Sequence, residues 1–357
     1  MLISKEKNKY AVIDKNRAKK GQFNTKHSFW FNNPVKNFFE KKTKKIDKIL
    51  DPFAGEGDIL FFLKKKYKKK IIGYDIDKKK WKKNDSLKKI PTHKNTIICT
   101  NPPYLAKYSA KRKRVFKDVK DYYSDSIDLY HLALQKCFKA TRYTIAIIPE
   151  TFINSNFPKN HLVLLSVIIK NPFATTENPV VVACFDNQFL EGNKKAKVYI
   201  DNKFICKLGD LEKNRIKPKN NHKIYFNDPK GNLALKAVDG VQKGDLIRFE
   251  KTNGFYYSRS NIKVSSRLLT YIKIPNLNEK KIARLVKESN RRLKKIRKKT
   301  NDLILSPFKG NNKSGIRRRR LDYKLARCII EQSIKKRGGR EWANGGTGRR
   351  VGLKILW

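Results

Sequence analysis

The sequence predicts an α/β fold, a parallel sheet with helices on both faces, followed by a second domain of mixed α+β structure. Three observations predict it. Between residues 46 and 185, short apolar runs alternate with longer segments that have apolar residues at helical spacing, which is typical of parallel sheets with crossover helices. The alternation disappears after about residue 190. The 357 residues are enough for one large domain or two ordinary ones.

Five apolar runs predict buried strands. They are Ile46–Leu50, Ile71–Tyr74, Thr96–Cys99, Thr144–Ile148 and Val180–Phe185. Two segments between them, Asp58–Lys69 and Asp128–Lys139, predict amphipathic helices. Because ligands of such sheets bind beyond the carboxyl ends of the strands, the residues that follow each strand are the candidates for a functional site.

The remainder of the chain divides into two predicted regions. Residues 191–336 form a second domain, in which short β-like pieces such as Lys197–Ile200 and Ile224–Phe226 are separated by turns. Residues 337–357 form a Gly/Arg-rich tail without periodicity. The first domain is therefore predicted to end near residue 190.

A basic helix is predicted to begin in the second domain, with Asn276 as N-cap and Glu279 three residues later. Residues 281–300 contain ten Lys or Arg, Lys294 and Lys295 among them, and one acid. One face of this helix is apolar and consists of Ile282, Leu285, Val286, Leu293 and Ile296. A second basic run follows at Arg317, Arg318, Arg319 and Arg320.

The charge of the chain favours nucleic acid as its partner. The 85 Lys and Arg residues exceed the 31 Asp and Glu residues to give a net charge of +54, which indicates a polyanionic partner. A hydrophobic fraction of 39% excludes a disordered polycation. We predict no membrane association, because no apolar run approaches membrane-spanning length, and no secretory signal, because Met1–Lys20 has no apolar core.

The cysteines and histidines do not form a recognisable metal or disulfide pattern. The five cysteines lie singly, with no CxxC pair, and the five histidines are scattered. This pattern argues against a zinc cluster and a disulfide framework and is typical of a reduced cytosol. We therefore predict no metal site.

Two motifs together predict a nucleoside-cofactor site. Asp51–Asp58 runs from a strand through a glycine turn into a helix, and its glycines allow a ligand to approach the backbone closely. Asp75 ends the next strand, where a carboxylate can accept hydrogen bonds from a ribose diol. Each segment alone is also compatible with an ordinary strand end. Neither matches the GxGxxG or GxxxxGK[ST] pattern.

The third motif is Asn101-Pro102-Pro103-Tyr104, which follows a predicted buried strand. The two prolines fix a rigid, extended loop. Such a loop can direct the Asn101 carboxamide oxygen and a proline carbonyl towards one amino group. A surface turn is the alternative interpretation of a Pro-Pro pair.

With these motifs the sequence resembles the S-adenosylmethionine-dependent N6-adenine DNA methyltransferases of bacterial modification systems, in the gamma order of motifs. The resemblance covers Gly21 to Phe185 and includes segments at 21–26, 128–130 and 147–152. It implies a Rossmann-like methyltransferase sheet, with residues 191–336 as the target-recognition domain.

The resemblance also implies roles for individual residues. Residues that would bind S-adenosylmethionine are Thr25, Asp51, Phe53, Ala54, Gly55, Gly57, Asp75, Ile76, Asp85 and Ser86. Residues that would act on the flipped adenine are Asn101, Pro102, Pro103, Tyr104 and Phe173. Phosphate contacts are expected from Lys294, Lys295 and Arg317–Arg320.

The expected biological setting follows from the same resemblance. The resemblance implies a monomeric enzyme that is encoded by a bacterium or a phage and acts on double-stranded DNA in the bacterial cytoplasm. A restriction endonuclease is expected as a partner that acts separately. Three alternatives stay open: an RNA adenine N6-methyltransferase, a methyltransferase acting on a glutamine amide in protein, and a non-catalytic nucleic-acid-binding protein on the same fold. The charge of +54 disfavours the protein substrate.

Overall fold

The structure is a computed structural model that describes residues 25–77, 80–123, 126–173, 176–219 and 222–334. Residues 21–24 of the predicted N-terminal motif and the predicted tail at 337–357 lie outside the described residues. The chain forms two compact units. Unit 1 is Met1–Asn214 with Ser306–Arg318, and unit 2 is Arg215–Leu305 with Arg319–Trp357.

Unit 1 contains a nine-stranded sheet. Its strands are β1 (Lys48–Asp51), β2 (Lys70–Asp75), β3 (Lys82–Lys83), β4 (Thr96–Thr100), β5 (Tyr143–Pro149), β6 (Leu162–Ile168), β7 (Val180–Asp186), β8 (Lys197–Ile200) and β9 (Lys203–Lys207). They lie in the order β3-β2-β1-β4-β5-β7-β6-β8-β9. Strands β1 to β5 pair in parallel, whereas β7 runs antiparallel to β5 and β6.

The helices of unit 1 follow its strands. They are α1 (Asn33–Lys42), α2 (Asp58–Tyr67), α3 (Lys107–Arg112), α4 (Phe116–Val119), α5 (Leu129–Ala140), α6 (Gly192–Lys195) and α7 (Leu208–Lys213), with 3-10 turns at Ser28–Trp30, Lys120–Tyr123 and Glu150–Asn154. Alternate residues of one strand face opposite sides of the sheet. Ile49 accordingly packs in one cluster with Phe39 of α1 and Leu60 of α2, while Leu50 packs with Cys137 of α5. The predicted α/β fold with helices on both faces is confirmed.

Strand β1 is where the order of the sheet reverses. The chain passes from β1 to β2 and β3 on one side and then returns to β4 on the other side of β1. The connections that follow β1 and β4 therefore lead in opposite directions along the sheet. Open α/β sheets bind ligands at such a switch point. Asp51 and Asn101 lie at or directly after the carboxyl ends of these two strands.

The structure differs from the predicted organisation in three places. The compact units divide after Asn214, not near residue 190, because β8 pairs with β6 and β9 pairs with β8 at the edge of the same sheet. The apolar run Leu162–Ile168 forms β6, a strand that is absent from the five predicted ones. The strand predicted at Val180–Phe185 is present but antiparallel.

Unit 2 contains an antiparallel sheet of four strands in the order β10-β13-β11-β12. Its elements are β10 (Tyr225–Phe226), β11 (Leu233–Lys236), β12 (Arg248–Lys251), β13 (Leu269–Lys273), α8 (Glu279–Thr300) and α9 (Tyr323–Ile334), with 3-10 turns at Thr252–Gly254 and Arg259–Asn261. The N-cap of α8 is Asn278, whose Oδ1 accepts from Lys281 N at 3.0 Å. The predicted N-cap, Asn276, instead has a left-handed φ of +63° before the helix begins.

A two-stranded ribbon follows α8. Its strands are β14 (Ser306–Asn311) and β15 (Arg317–Arg320), and the chain passes from unit 1 into unit 2 within β15. The helices of the described residues are too short or too polar to cross a membrane.

Candidate functional site

Asp51, the last residue of β1, is a buried acid at the switch point. It is 2% exposed, and its Oδ1 accepts from the Thr100 hydroxyl at 2.6 Å and from Phe53 N at 3.0 Å. Burial raises the pKa of Asp51 to about 7, against the lowering effect of these two hydrogen bonds. The charge of this carboxyl group therefore changes near neutral pH.

The glycine turn after β1 is tied to the end of β2. Gly55 N donates to Asp75 Oδ2 at 2.9 Å, so the two predicted cofactor motifs contact each other. Gly57 has a φ of +87°, and a Cβ at this position would lie 2.6 Å from the rings of Phe61 and Trp81. Glycine at position 57 thus meets both a conformational and a steric requirement.

Trp81 belongs to this site and was missed by sequence reasoning. Its Nε1 donates to the Gly55 carbonyl at 3.0 Å, and its indole packs so closely on β2 that a Cβ at Gly73 would lie 2.3 Å away. The signal that could have found it is the glycine itself, because a glycine inside a strand often marks the close approach of another group.

Asp85 follows the short strand β3, so that each of the first three strands ends at an acid or is followed closely by one. Its Oδ2 accepts from the Tyr122 hydroxyl at 2.8 Å and its Oδ1 from Leu87 N at 3.2 Å. Burial and the hydrogen bond to Asp85 raise the pKa of Tyr122 to about 12. Ser86 is buried, and its hydroxyl accepts from Asn84 Nδ2 at 2.9 Å.

The Asn101 carboxamide is held from two sides. Its Nδ2 donates to the hydroxyl of buried Thr25 at 3.0 Å, and its Oδ1 accepts from the Tyr104 hydroxyl. The Tyr104 hydroxyl also lies 2.7 Å from the Ile147 carbonyl of β5. Thr25, far from Asn101 in sequence, is therefore brought to the same point as the loop that follows β4.

Aromatic rings form one wall beside this loop. The Tyr104 ring is edge-on to those of Tyr130 and Phe173, each at a centroid distance of 6.4 Å. Tyr104 is half-buried and Pro102 is buried. Phe173 is also buried and forms a backbone bridge with Thr25, so its ring supports Tyr104 and does not present a free face. Phe173 is predicted to act on the flipped adenine, but in this arrangement its side chain is buried.

A second acid with a raised pKa, the half-buried Asp128, lies next to the loop. Asp128 precedes α5 and forms a backbone bridge with Ala106. Burial raises the pKa of Asp128 to about 7. Burial, together with the electrostatic influence of the nearby Tyr130 and Asp128, raises the pKa of Tyr104 well above its usual value, so the Tyr104 hydroxyl keeps its proton and donates it in hydrogen bonds.

Residues at and after the carboxyl ends of β1 and β4, together with Thr25, line a small polar cavity of about 30 Å³. Its lining residues are Thr25, Asp51, Phe53, Ala54, Gly55, Glu56, Asp58, Ile59 and Asn101. Six of them are residues that the sequence predicted for the cofactor or for catalysis. Among the other predicted cofactor residues, Ile76 is exposed at the end of β2. Among the described residues, no group of three or more His, Cys, Asp and Glu side chains could hold a metal ion.

The two predicted phosphate-binding runs differ in environment. Lys294 and Lys295 are exposed on α8, as expected. Arg317 and Arg319, in contrast, are buried. Arg317 Nε lies 3.4 Å from the carboxylate of buried Glu150, and its Nη2 donates to the Ile168 carbonyl at 2.7 Å. The prediction that the whole run contacts phosphates is therefore wrong for these two arginines, because alternate residues of β15 face inwards.

Comparison with known proteins finds solved structures that resemble the chain at low similarity. No protein-family profile and no curated protein sequence match the chain. The methyltransferase subunit of a type I restriction-modification system from Streptococcus thermophilus is 16% identical with a TM-score of 0.33, over 46% of this chain and 43% of that one. TrmN from Thermus thermophilus is 15% identical with a TM-score of 0.29, over 43% and 48%.

A third match covers more of both chains. The M protein of the type I restriction enzyme EcoKI is 10% identical with a TM-score of 0.31, over 73% of this chain and 68% of that one. The chain thus spans less than half the length of the first two structures. Matches at these identities and TM-scores do not establish a family or an activity.

Proposed function

We propose that the protein is an S-adenosylmethionine-dependent methyltransferase that acts on the N6 amino group of adenine in double-stranded DNA, as part of a restriction-modification system. The observation that carries the proposal is the Asn101 carboxamide. It is fixed by Thr25 and Tyr104 at the switch point of the sheet and lines the same cavity as Asp51. It presents an uncharged acceptor, which suits a neutral amino group.

The described residues at the strand ends support S-adenosylmethionine as the cofactor. Both oxygens of Asp75 accept one backbone N–H at 2.9 Å, from Gly55 and from Asp77, and each keeps a lone pair for a ribose hydroxyl. Gly55 has no heavy atom of the described residues within 4 Å of its Cβ position, so a ligand can lie against the backbone there. Asp51 and Asp85 complete a series of acids at successive strand ends.

Asn101 and Pro102 would act on the amino group of the target base. The lone pair of an exocyclic adenine amine is delocalised into the ring. If Asn101 Oδ1 and the Pro102 carbonyl each accept one N6–H, the nitrogen moves towards tetrahedral geometry and its lone pair becomes available. S-adenosylmethionine, when bound, supplies the electrophilic methyl group. A neutral amine needs no strong base, which is consistent with a site built from amide and carbonyl oxygens.

Tyr104 would serve both as a positioning residue and as a surface for the base. Its hydroxyl is engaged with Asn101 Oδ1 and the Ile147 carbonyl, so the ring is fixed beside the loop. The adenine amino group lies inside the duplex stack, so the nucleotide must be flipped out to reach this ring. Base–aromatic stacking contributes about 1–3 kcal/mol.

Helix α8 would supply the phosphate contacts. Its exposed cations are Lys280, Arg284, Lys287, Arg291, Lys294, Lys295, Lys298 and Lys299. No carboxylate of the described residues pairs with Lys294 or Lys295. At 1.5 Å per residue the 22-residue helix is roughly 33 Å long, so this row of charge can follow several phosphates.

The test is single-turnover transfer of labelled methyl to duplex DNA by Asn101→Ala. We expect transfer to fall about a hundred- to a thousandfold, because the lost hydrogen bond matters most as the nitrogen becomes tetrahedral. Cofactor and DNA binding should be retained. Asn101→Asp keeps acceptor oxygens at this position and should retain more activity than Asn101→Ala.

Product nucleosides identified by mass spectrometry, with RNA of the same sequence as a second substrate, separate the alternatives. Near-wild-type transfer by Asn101→Ala would contradict the mechanism. N4-methylcytosine as product, or transfer to RNA alone, would contradict the substrate.

A further inference from the structure

Unit 2 contains a pocket that the proposed chemistry does not use. It has a volume of about 460 Å³, within the range of ligand sites. The stacked rings of Phe226 and Tyr323, 4.4 Å apart, lie at its wall, and Arg267 and Arg320 also line it. Asp322 is the carboxylate in the lining, and because the two guanidinium groups outnumber it, the pocket favours hydrogen-bond acceptors.

The two arginines give the pocket an excess of positive charge and a buried donor that is not satisfied. The pocket lining contains one carboxylate, Asp322, beside the two guanidinium groups, and Arg320 Nε is buried without a hydrogen-bond partner among the described residues. Arg267 is exposed. Burying a donor without a partner is costly, so an acceptor that enters the pocket would be stabilised.

The loop that carries Arg267 is fixed in place. Asn227 Nδ2 donates to the Val264 carbonyl at 2.8 Å and to the Ser266 carbonyl at 3.1 Å, and the Tyr323 hydroxyl donates to the same Ser266 carbonyl. The turn is closed by Ser266 N, which donates to the Lys263 carbonyl at 2.9 Å. This loop, residues 263–268, is therefore pre-organised, as a recognition element must be.

The exposed side chains of the loop suit base edges better than phosphates. Val264 is 96% exposed and Leu268 is 51% exposed, on either side of Arg267. Exposed aliphatic groups contribute nothing to phosphate binding, and the exposed face of α8 carries Lys and Arg. In a DNA groove an arginine pairs with guanine O6 and N7, and aliphatic groups contact thymine methyls.

We propose that loop 263–268 and its pocket form the base-reading site for the duplex substrate, with Arg267 as a specificity-determining residue that recognises guanine. This inference rests on the proposed function for its substrate. It assigns to unit 2 a contact that carries sequence information, in contrast to the phosphate contacts of α8.

The test is enrichment from a pool of randomised duplex DNA, which measures sequence preference without methyl transfer. We expect the wild-type protein to enrich a motif, and both Arg267→Ala and Arg267→Lys to lose preference for guanine at one position. The expected loss is roughly five- to 150-fold, since each bidentate arginine–guanine pair gives about 1–3 kcal/mol of discrimination. Arg267→Lys keeps the charge, so a purely electrostatic role would leave its motif unchanged. Lys287→Ala, an exposed cation of α8, is the matched control and should bind more weakly with the same motif.

Two results would overturn the inference. One is a wild-type pool without any enriched motif, and the other is an unchanged motif in both Arg267 variants. Methyl transfer by the wild-type protein to the unselected pool is measured in parallel. Its absence would count against the proposed function, whether or not the motif depends on Arg267.

Discussion

Charged side chains have opposite environments at the carboxyl edge of the unit 1 sheet and on the exposed face of α8 in unit 2. In unit 1, Asp51 is 2% exposed and Arg317 pairs with Glu150, a side chain that is 1% exposed. In unit 2, Lys294 and Lys295 face solvent. A buried charge interacts with its fixed neighbours and therefore determines stability and titration, whereas an exposed charge is available to an external partner and responds to salt.

The sharpest test of this contrast is Arg317→Ala, for which we expect the largest effect. The substitution leaves the Glu150 carboxylate buried without its cation, and breaking such a pair costs about 3–5 kcal/mol. Urea denaturation measures this loss of unfolding free energy. Arg318→Ala is the matched control, because Arg318 is half-buried and its guanidinium lies 4.9 Å from the centroid of the Phe308 ring. That contact is worth about 0.5–1 kcal/mol.

A stability of Arg317→Ala equal to that of the wild type, together with weaker DNA binding, would contradict the buried role. That result would support the phosphate contact of Arg317 that the sequence predicts.

The burial of two of these four arginines could not be predicted from the sequence. Four successive arginines have no periodicity of their own, so only the alternation of β15 determines that Arg317 and Arg319 face inwards. The partner Glu150 follows β5, in a distant part of the sequence, and no local pattern indicates the pairing. In α8, by contrast, the apolar residues recur at helical spacing, and the buried positions include the predicted Ile282, Leu285 and Leu293.

The candidate site could be predicted for a related reason. Asp51, Asp75 and Asn101 each lie at or beside the carboxyl end of a strand that the apolar runs identify, and parallel pairing brings these ends to one edge. The contacts across the site depend on tertiary packing. Trp81 on the glycine turn and Thr25 on the Asn101 amide therefore required the structure.

The pH dependence of the unfolding free energy tests the same contrast at Asp51. Its pKa is raised from 3.8 to about 7, so the native state keeps a proton that the unfolded chain has already lost. The unfolding free energy therefore falls as pH rises from about 4 to about 7, by at most about 1.4 kcal/mol per pH unit from this group. Asp51→Asn removes this contribution, and its stability should fall by roughly 2 kcal/mol less than that of the wild type between pH 5 and pH 7.

The measurement is urea denaturation at several pH values. Asp77→Asn is the control, since Asp77 is an exposed acid beyond the neighbouring strand, and its curve should run parallel to that of the wild type. A parallel curve for Asp51→Asn would show that Asp51 is ionised throughout this range.

The smallest effect is expected for the exposed cations of α8, and it should appear in salt dependence instead of stability. Each phosphate neutralised contributes roughly 0.9 to the slope of log affinity against log salt for duplex DNA. The double substitution of Lys294 and Lys295 by Ala should therefore reduce that slope by about 1.8. Surface substitutions of this kind change stability by less than about 0.5 kcal/mol.

Arg291→Ala is the control on the same helix, because its guanidinium already donates to both oxygens of Glu288 at 2.7 Å, and it should change the slope less. Fluorescence anisotropy at several salt concentrations measures the slopes. An unchanged slope in the double variant would place the DNA on another face of unit 2 and remove the basis for treating α8 as the phosphate-binding element.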